Sequence, residues 1–196
     1  MENITPNAQD VKCAIRTIIR YIGEDPDREG LIKTPDRIVR MYDEIFRGYN
    51  EGKKPTITTF ANEEGMSDLV FDTGDYYSMC EHHILPFLGR YFFAYIPDPK
   101  GRILGISKVA RVVGYCAARL QLQERLAKDV VVMLSDALGN TQQGMAIAMR
   151  GKHLCKTMRG VRNNGDMSVV CLTGLFKSDP NTREEFYKLI DMQQDG

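Results

Sequence analysis

All three histidines of this chain lie within three residues of a cysteine, two in the run Cys80-Glu81-His82-His83 and the third in His153-Leu154-Cys155. The two segments are far apart in the chain, so a fold that uses them together must bring them into contact. Thiolates and imidazoles together suit Zn²⁺, a borderline-soft ion that accepts both S and N donors. Cys80 and His83 have the C-x2-H spacing of a ligand pair, and Cys155 can close the site from the second segment. Three protein ligands leave one tetrahedral position open, the mark of a catalytic zinc, because water there is acidified to a pKa of roughly 7. The competing reading makes the histidines ordinary loop residues and the cysteines buried core thiols.

Charge excludes some partners. The 26 basic and 26 acidic residues balance, so no global field points to nucleic acid or an anionic membrane, and any anion site must be local. No apolar run approaches the ~18 residues of a membrane span, and the N-terminus lacks the basic start and apolar core of a signal peptide. The expected location is cytoplasmic. Five widely spaced cysteines, an odd number, do not form a disulfide framework, and a reducing compartment keeps them as thiols or ligands. Cys13, Cys116 and Cys171 sit in apolar segments and are expected in the core.

Hydrophobic spacing predicts a helix from Val11 to Ile22 and a second from Thr34-Pro35, with Thr34 as cap and Ile38, Met41 and Ile45 as its stripe. From Lys54 the texture turns to strands: 56–60, 69–72, 90–96 and 103–106. Helical periodicity resumes after Ser107 and runs to Leu138, with a break expected near Gln121. Strand texture returns at 144–150, 153–158 and 167–176, and residues 182–192 read as a last helix. This order predicts an α+β fold, a largely antiparallel sheet with paired helices, made of an N-terminal helical region (1–52) and a catalytic domain (53–196).

Ser107 at a helix start, with Lys108 and Arg111 in the first turn, adds cations where the helix dipole is already positive. That arrangement is favourable only if an anion such as phosphate answers it; the alternative is a solvated basic turn. Arg37, in the first turn of the second helix, offers the same choice. Gln123-Glu124-Arg125 reads as a solvated helix face, although a Glu carboxylate also matches the adjacent N1–H and N2–H₂ donors of guanine.

The stretches LIKTPDRIVRMYDEIFRGY, CEHHILPF, AYIP, GISKVAR, RLQLQERL and HLCKTMRGV, in this order, closely resemble GTP cyclohydrolase I from Gly30 to about Leu189. The resemblance implies a tunnelling fold (T-fold) and a homodecamer of two pentamers with sites between subunits. It implies zinc on Cys80, His83 and Cys155 and proton transfer by His82 and His153, and it counts Gln123, beside Glu124, among the catalytic residues. It assigns Glu124 to guanine, and Ser107, Lys108, Arg111, Arg159 and Arg37 to the triphosphate. The implied reaction takes GTP and water to 7,8-dihydroneopterin triphosphate and formate, by attack of water at C8 while an imidazole protonates N7.

One strand departs from the family's pattern. After MRGV a Ser/Thr-rich strand is usual, whereas here the chain reads Arg162-Asn163-Asn164-Gly165-Asp166-Met167-Ser168-Val169-Val170-Cys171. Contacts from that strand are therefore in question. A catalytically idle zinc-binding paralogue and another T-fold pterin or deazapurine enzyme are the rival readings. Retention of His82, His153 and Glu124 argues against the first, and the paired CEHH and H-x-C motifs against the second.

Overall fold

In the computed structural model, which describes residues 6–193, the chain first forms two helices. Helix α1 (Ala8–Tyr21) starts at Asn7, whose side-chain oxygen accepts from the N–H of Gln9 at 2.8 Å and of Asp10 at 3.1 Å. Asp10 returns the bond, accepting from the Asn7 N–H at 2.9 Å. This reciprocal cap satisfies donors that a first turn cannot. Helix α2 (Thr34–Ile45) carries Pro35 in its first turn, where the missing N–H is no loss. Its cap differs from the expectation: Lys33 is the capping residue, and the Thr34 hydroxyl instead accepts from the Arg37 guanidinium at 2.7 Å. Cys13, expected in a core, is exposed, because α1 buries only Ile15 and Ile19. These helices form a small unit ending at Arg47, and a larger unit begins at Gly48.

The larger unit runs β1 (Thr59–Ala61), β2 (Val70–Cys80), β3 (Leu85–Ile96), β4 (Arg102–Leu104), α3 (Lys108–Ala117), β5 (Leu120–Gln121) and α4 (Gln123–Ala137). It continues with β6 (Gly144–His153), α5 (Leu154–Thr157), β7 (Met167–Leu172), α6 (Leu175–Ser178) and α7 (Pro180–Met192). Strands β1 and β4 form a small antiparallel pair. The other five form one sheet in the order β5-β2-β3-β6-β7, antiparallel throughout except where β5 lies parallel to β2.

Both faces of the central strands are covered. Tyr91, Phe93 and Tyr95 of β3 point to one side, where they join Val112, Val113 and Cys116 of α3 and Leu126, Val130 and Leu134 of α4 in the main core. Phe92, Ala94 and Ile96 alternate to the other side and meet Phe176 of α6 and Phe186 and Ile190 of α7. A strand buried on both faces reads as a continuous apolar run, which is why the alternation in 90–96 is imperfect. Each of these fully buried large side chains contributes about 1.5–3 kcal/mol relative to exposure.

Two differences from the sequence expectation bear on function. The helical run from Ser107 does break near Gln121, but the break is itself a strand, β5. Strand β6 extends to His153, and residues 154–157, expected as strand, close into a single helical turn. In that turn the Thr157 hydroxyl donates to the His153 carbonyl at 2.9 Å and the Met158 N–H to the Leu154 carbonyl at 2.9 Å. Among the described residues no helix is long and apolar enough to cross a membrane.

Candidate functional site

Cys80 is the last residue of β2, buried, with its main chain paired to Leu85 on one side and Gln121 on the other. The parallel pairing with β5 is what delivers the start of α4 to this point: once Gln121 is fixed beside Cys80, Gln123 and Glu124 follow within two and three residues. The loop Glu81–Ile84 leaves the strand and is braced from α4. Arg125 pairs with the Glu81 carboxylate, donates Nε to the Gln121 side-chain oxygen at 2.8 Å and donates to the Leu120 carbonyl at 3.1 Å. Ile84 closes the loop at φ 53°, a left-handed conformation that is uncommon for a β-branched residue and marks local strain.

The third histidine arrives on the neighbouring strand. The β3–β6 register sets His153 opposite Phe87, and the rings stack with centroids 4.4 Å apart and planes 5° from parallel. Behind them, the edge of Tyr76 packs on Phe87 at 6.0 Å. Gln123, fully buried, donates its amide to the carbonyls of Met149 at 2.8 Å and Met167 at 3.1 Å, and its oxygen lies 2.9 Å from His153 Nε2. The two carbonyls identify the nitrogen end of the Gln123 amide, so its oxygen must accept and His153 Nε2 must carry the proton. Nδ1 is then the basic nitrogen. Burial holds the His153 pKa below the usual imidazole range, opposed by the Glu124 charge and assisted by Lys156 and His82.

Cys155, in α5, completes the cluster. Its Sγ lies 3.7 Å from that of Cys80, and both sulfurs and a His153 nitrogen lie within 4.8 Å of one another. Burial and the neighbouring Cys80 thiol push the Cys155 pKa up. Two thiolates on a tetrahedral ion with bonds of about 2.3 Å would stand about 3.8 Å apart, so the sulfur separation already fits a metal of that kind. His82 sits on the exposed loop with Nδ1 3.8 Å from Cys80 Sγ. His83 lies outside this cluster; its Nε2 is 2.9 Å from a guanidinium nitrogen of Arg159.

The remaining sequence candidates are more dispersed. Glu124 is exposed on the first turn of α4, close enough for its charge to act on His153. Ser107 occupies the N-cap position of α3 but makes no side-chain cap bond. Its hydroxyl and the Lys108 and Arg111 side chains carry no hydrogen bond to the thiol cluster among the described residues. Nor do Lys108, Arg111 and Arg159 take part in any of the ion pairs there. Arg37 belongs to the smaller unit, where it donates to the Gly30 carbonyl at 3.1 Å and to Thr34. Sequence reasoning missed Phe87 and the Arg125 brace.

The chain is similar to known proteins over nearly its whole length. The family model described as GTP cyclohydrolase I matches residues 11–191. A GTP cyclohydrolase 1 of Caldanaerobacter subterraneus subsp. tengcongensis is 44% identical over 187 residues, spanning 95% of this chain and 98% of the relative. That of Leptospira biflexa is 43% identical over 178 residues, spanning 90% and 95%. Among solved structures, an archaeosine synthase QueF-like in the apo form covers 54% of this chain and 93% of its own at 19% identity, with a TM-score of 0.44, too distant to bear on the argument. With the match running nearly end to end and Cys80, His153 and Cys155 brought into one cluster, this chain belongs to the GTP cyclohydrolase I family.

Proposed function

We propose that the protein hydrolyses GTP at C8 of the guanine ring and recloses the product as 7,8-dihydroneopterin triphosphate, releasing formate. The observation that carries this reading is the 3.7 Å pair of thiols beside a histidine of fixed tautomer in a chain of this family. Cys80, Cys155 and His83 would hold Zn²⁺. When bound, such an ion supplies Lewis acidity, enough to make a water nucleophilic near neutral pH.

The chain's own residues do the rest. His82, beside Cys80 in the exposed loop, protonates N7 as C8 is attacked. His153 holds its Nδ1 lone pair toward the reacting centre, because Phe87 fixes the ring plane and Gln123 fixes the tautomer. Glu124 accepts from guanine N1–H and N2–H₂. Ser107, Lys108, Arg111, Arg159 and Arg37 bind the triphosphate, which takes no part in bond breaking but orients the base, where remote binding energy is best used. Ring opening to a formamide, loss of formate, ribose opening with Amadori rearrangement and reclosure then follow.

The same reading gives a T-fold, with residues 53–196 as the catalytic domain and 1–52 appended, working in the cytoplasm. The outer edge of β7 and most of that of β2 are unpaired among the described residues, and open edges of that kind call for a partner strand. A decamer of two pentamers, with residues of neighbouring subunits completing each site, supplies one. The test is GTP with purified protein, followed by formate release and pterin fluorescence; absence of both from metal-replete protein would refute the activity.

A second ligand set has its own support. His153, not His83, is the imidazole within 4.8 Å of both sulfurs, and its Nδ1 lone pair is available to a metal. We favour His83 because a ring clamped by Phe87 and Gln123 suits proton transfer at a fixed point, whereas His83 sits on an exposed loop and is held by a contact with the exposed Arg159 that a metal can displace. Metal content of His83→Ala against His153→Ala decides between them.

A further inference from the structure

We propose that Arg159 and the metal compete for His83, so that metal loading releases Arg159 to bind an anion and anion binding releases His83 to the metal. This rests on the ligand set Cys80, His83 and Cys155 given above. Arginine can only donate, so in the 2.9 Å contact His83 Nε2 is the acceptor and the imidazole proton sits on Nδ1. A neutral imidazole that binds a metal uses one lone pair and keeps its proton on the other nitrogen. If Nε2 is the ligand, the lone pair that receives Arg159 is taken. If Nδ1 is the ligand, Nε2 carries the proton and faces Arg159 donor to donor. In both cases the contact with Arg159 must break.

Two further observations give the exchange a direction. His83 is not part of the group formed by Cys80, His153 and Cys155, so ligation requires it to turn away from where Arg159 holds it. Arg159 is exposed and has no carboxylate partner among the described residues. Once released, its planar fork of donors is open to phosphate oxygens, which it matches in geometry. Because coupling between two ligands is reciprocal, the factor by which metal favours the anion equals the factor by which the anion favours metal. The site would thus resist half-loading: metal without anion, or anion without metal, leaves one of the two side chains without its new partner.

The test is zinc affinity of the full-length protein, read by competition with a chromophoric chelator, with sulfate replacing chloride at constant ionic strength as the anion probe. Arg159→Met should bind zinc roughly two- to tenfold more tightly than the parent, the range expected for one lost competing hydrogen bond. Sulfate should tighten zinc binding by the parent and leave the variant unchanged. Equal or weaker zinc binding by Arg159→Met, or a sulfate effect of the same size in both proteins, overturns the coupling. His83→Ala, measured alongside, separates the two levels. If it keeps the parent's zinc affinity, the ligand set is wrong; if it loses zinc while Arg159→Met is unaltered, the ligand set stands and the coupling alone fails.

Discussion

Gln123 accepts a hydrogen bond from His153 at 2.9 Å while donating to two main-chain carbonyls, of Met149 and Met167. Only a carboxamide can do both. Gln123→Ala takes one donor from two main-chain carbonyls and leaves the His153 N–H without its acceptor, at about 1–3 kcal/mol for an unsatisfied group, so a net loss of roughly 1–3 kcal/mol is expected once a water partly refills the gap. Gln123→Glu keeps the acceptor but loses both donations and should do no better. Urea unfolding measures the loss, and turnover should fall with zinc content unchanged. A variant within about 0.5 kcal/mol of the parent would mean that His153 is held by its stack on Phe87 alone.

The metal prediction separates histidines that stand next to each other. Cys155→Ser and His83→Ala should each lose zinc and activity together, whereas His82→Ala should keep zinc and lose turnover by on the order of 10²-fold or more, as for removal of a general acid. Elemental analysis with single-turnover kinetics reads both. Loss of zinc from His82→Ala would exchange the roles of the pair.

Gly151 lies against the floor of the site. A Cβ there would stand 2.2 Å from the Tyr76 hydroxyl and 3.1 Å from the Gln123 side-chain oxygen, so Gly151→Ala is expected to destabilise by about 1–3 kcal/mol through overpacking. The Tyr76 hydroxyl is buried and makes no hydrogen bond among the described residues. Tyr76→Phe therefore removes no bond and takes away the atom that collides. The double variant should recover part of the stability and turnover lost by Gly151→Ala, and additive losses in a double-mutant cycle would show that the strain lies elsewhere.

How far these features were legible varies from residue to residue. The cysteine and histidine clusters, and the break near Gln121, could be read from the sequence because ligand spacing and helical period are local properties. The identity of the break as β5 could not: two residues of strand exist only because β2 offers an edge at Met79 and Cys80. Likewise Leu154–Thr157 has strand texture, but its main chain turns helical where Cys155 must face Cys80. Cys13 misled because a helical stripe specifies a face without saying whether anything covers it.

Glu124 is the residue whose role neither texture nor burial decides, since an exposed carboxylate in the first turn of α4 also suits the helix dipole. It makes no ion pair among the described residues, it follows the buried Gln123, and its charge acts on His153. If it accepts from guanine N1–H and N2–H₂, Glu124→Ala leaves two substrate donors unpaired, at roughly 1–3 kcal/mol each. Zinc content and assembly should be untouched. ITP lacks the 2-amino group, so the parent should prefer GTP to ITP and the variant should lose much of that preference. ATP, which presents an acceptor at N1 and a donor at the 6-position, should be rejected less strongly by the variant than by the parent. Specificity constants for the three nucleotides on both proteins measure this. An unchanged GTP-to-ITP ratio would return Glu124 to the solvated face of its helix and leave the recognition of guanine to other groups.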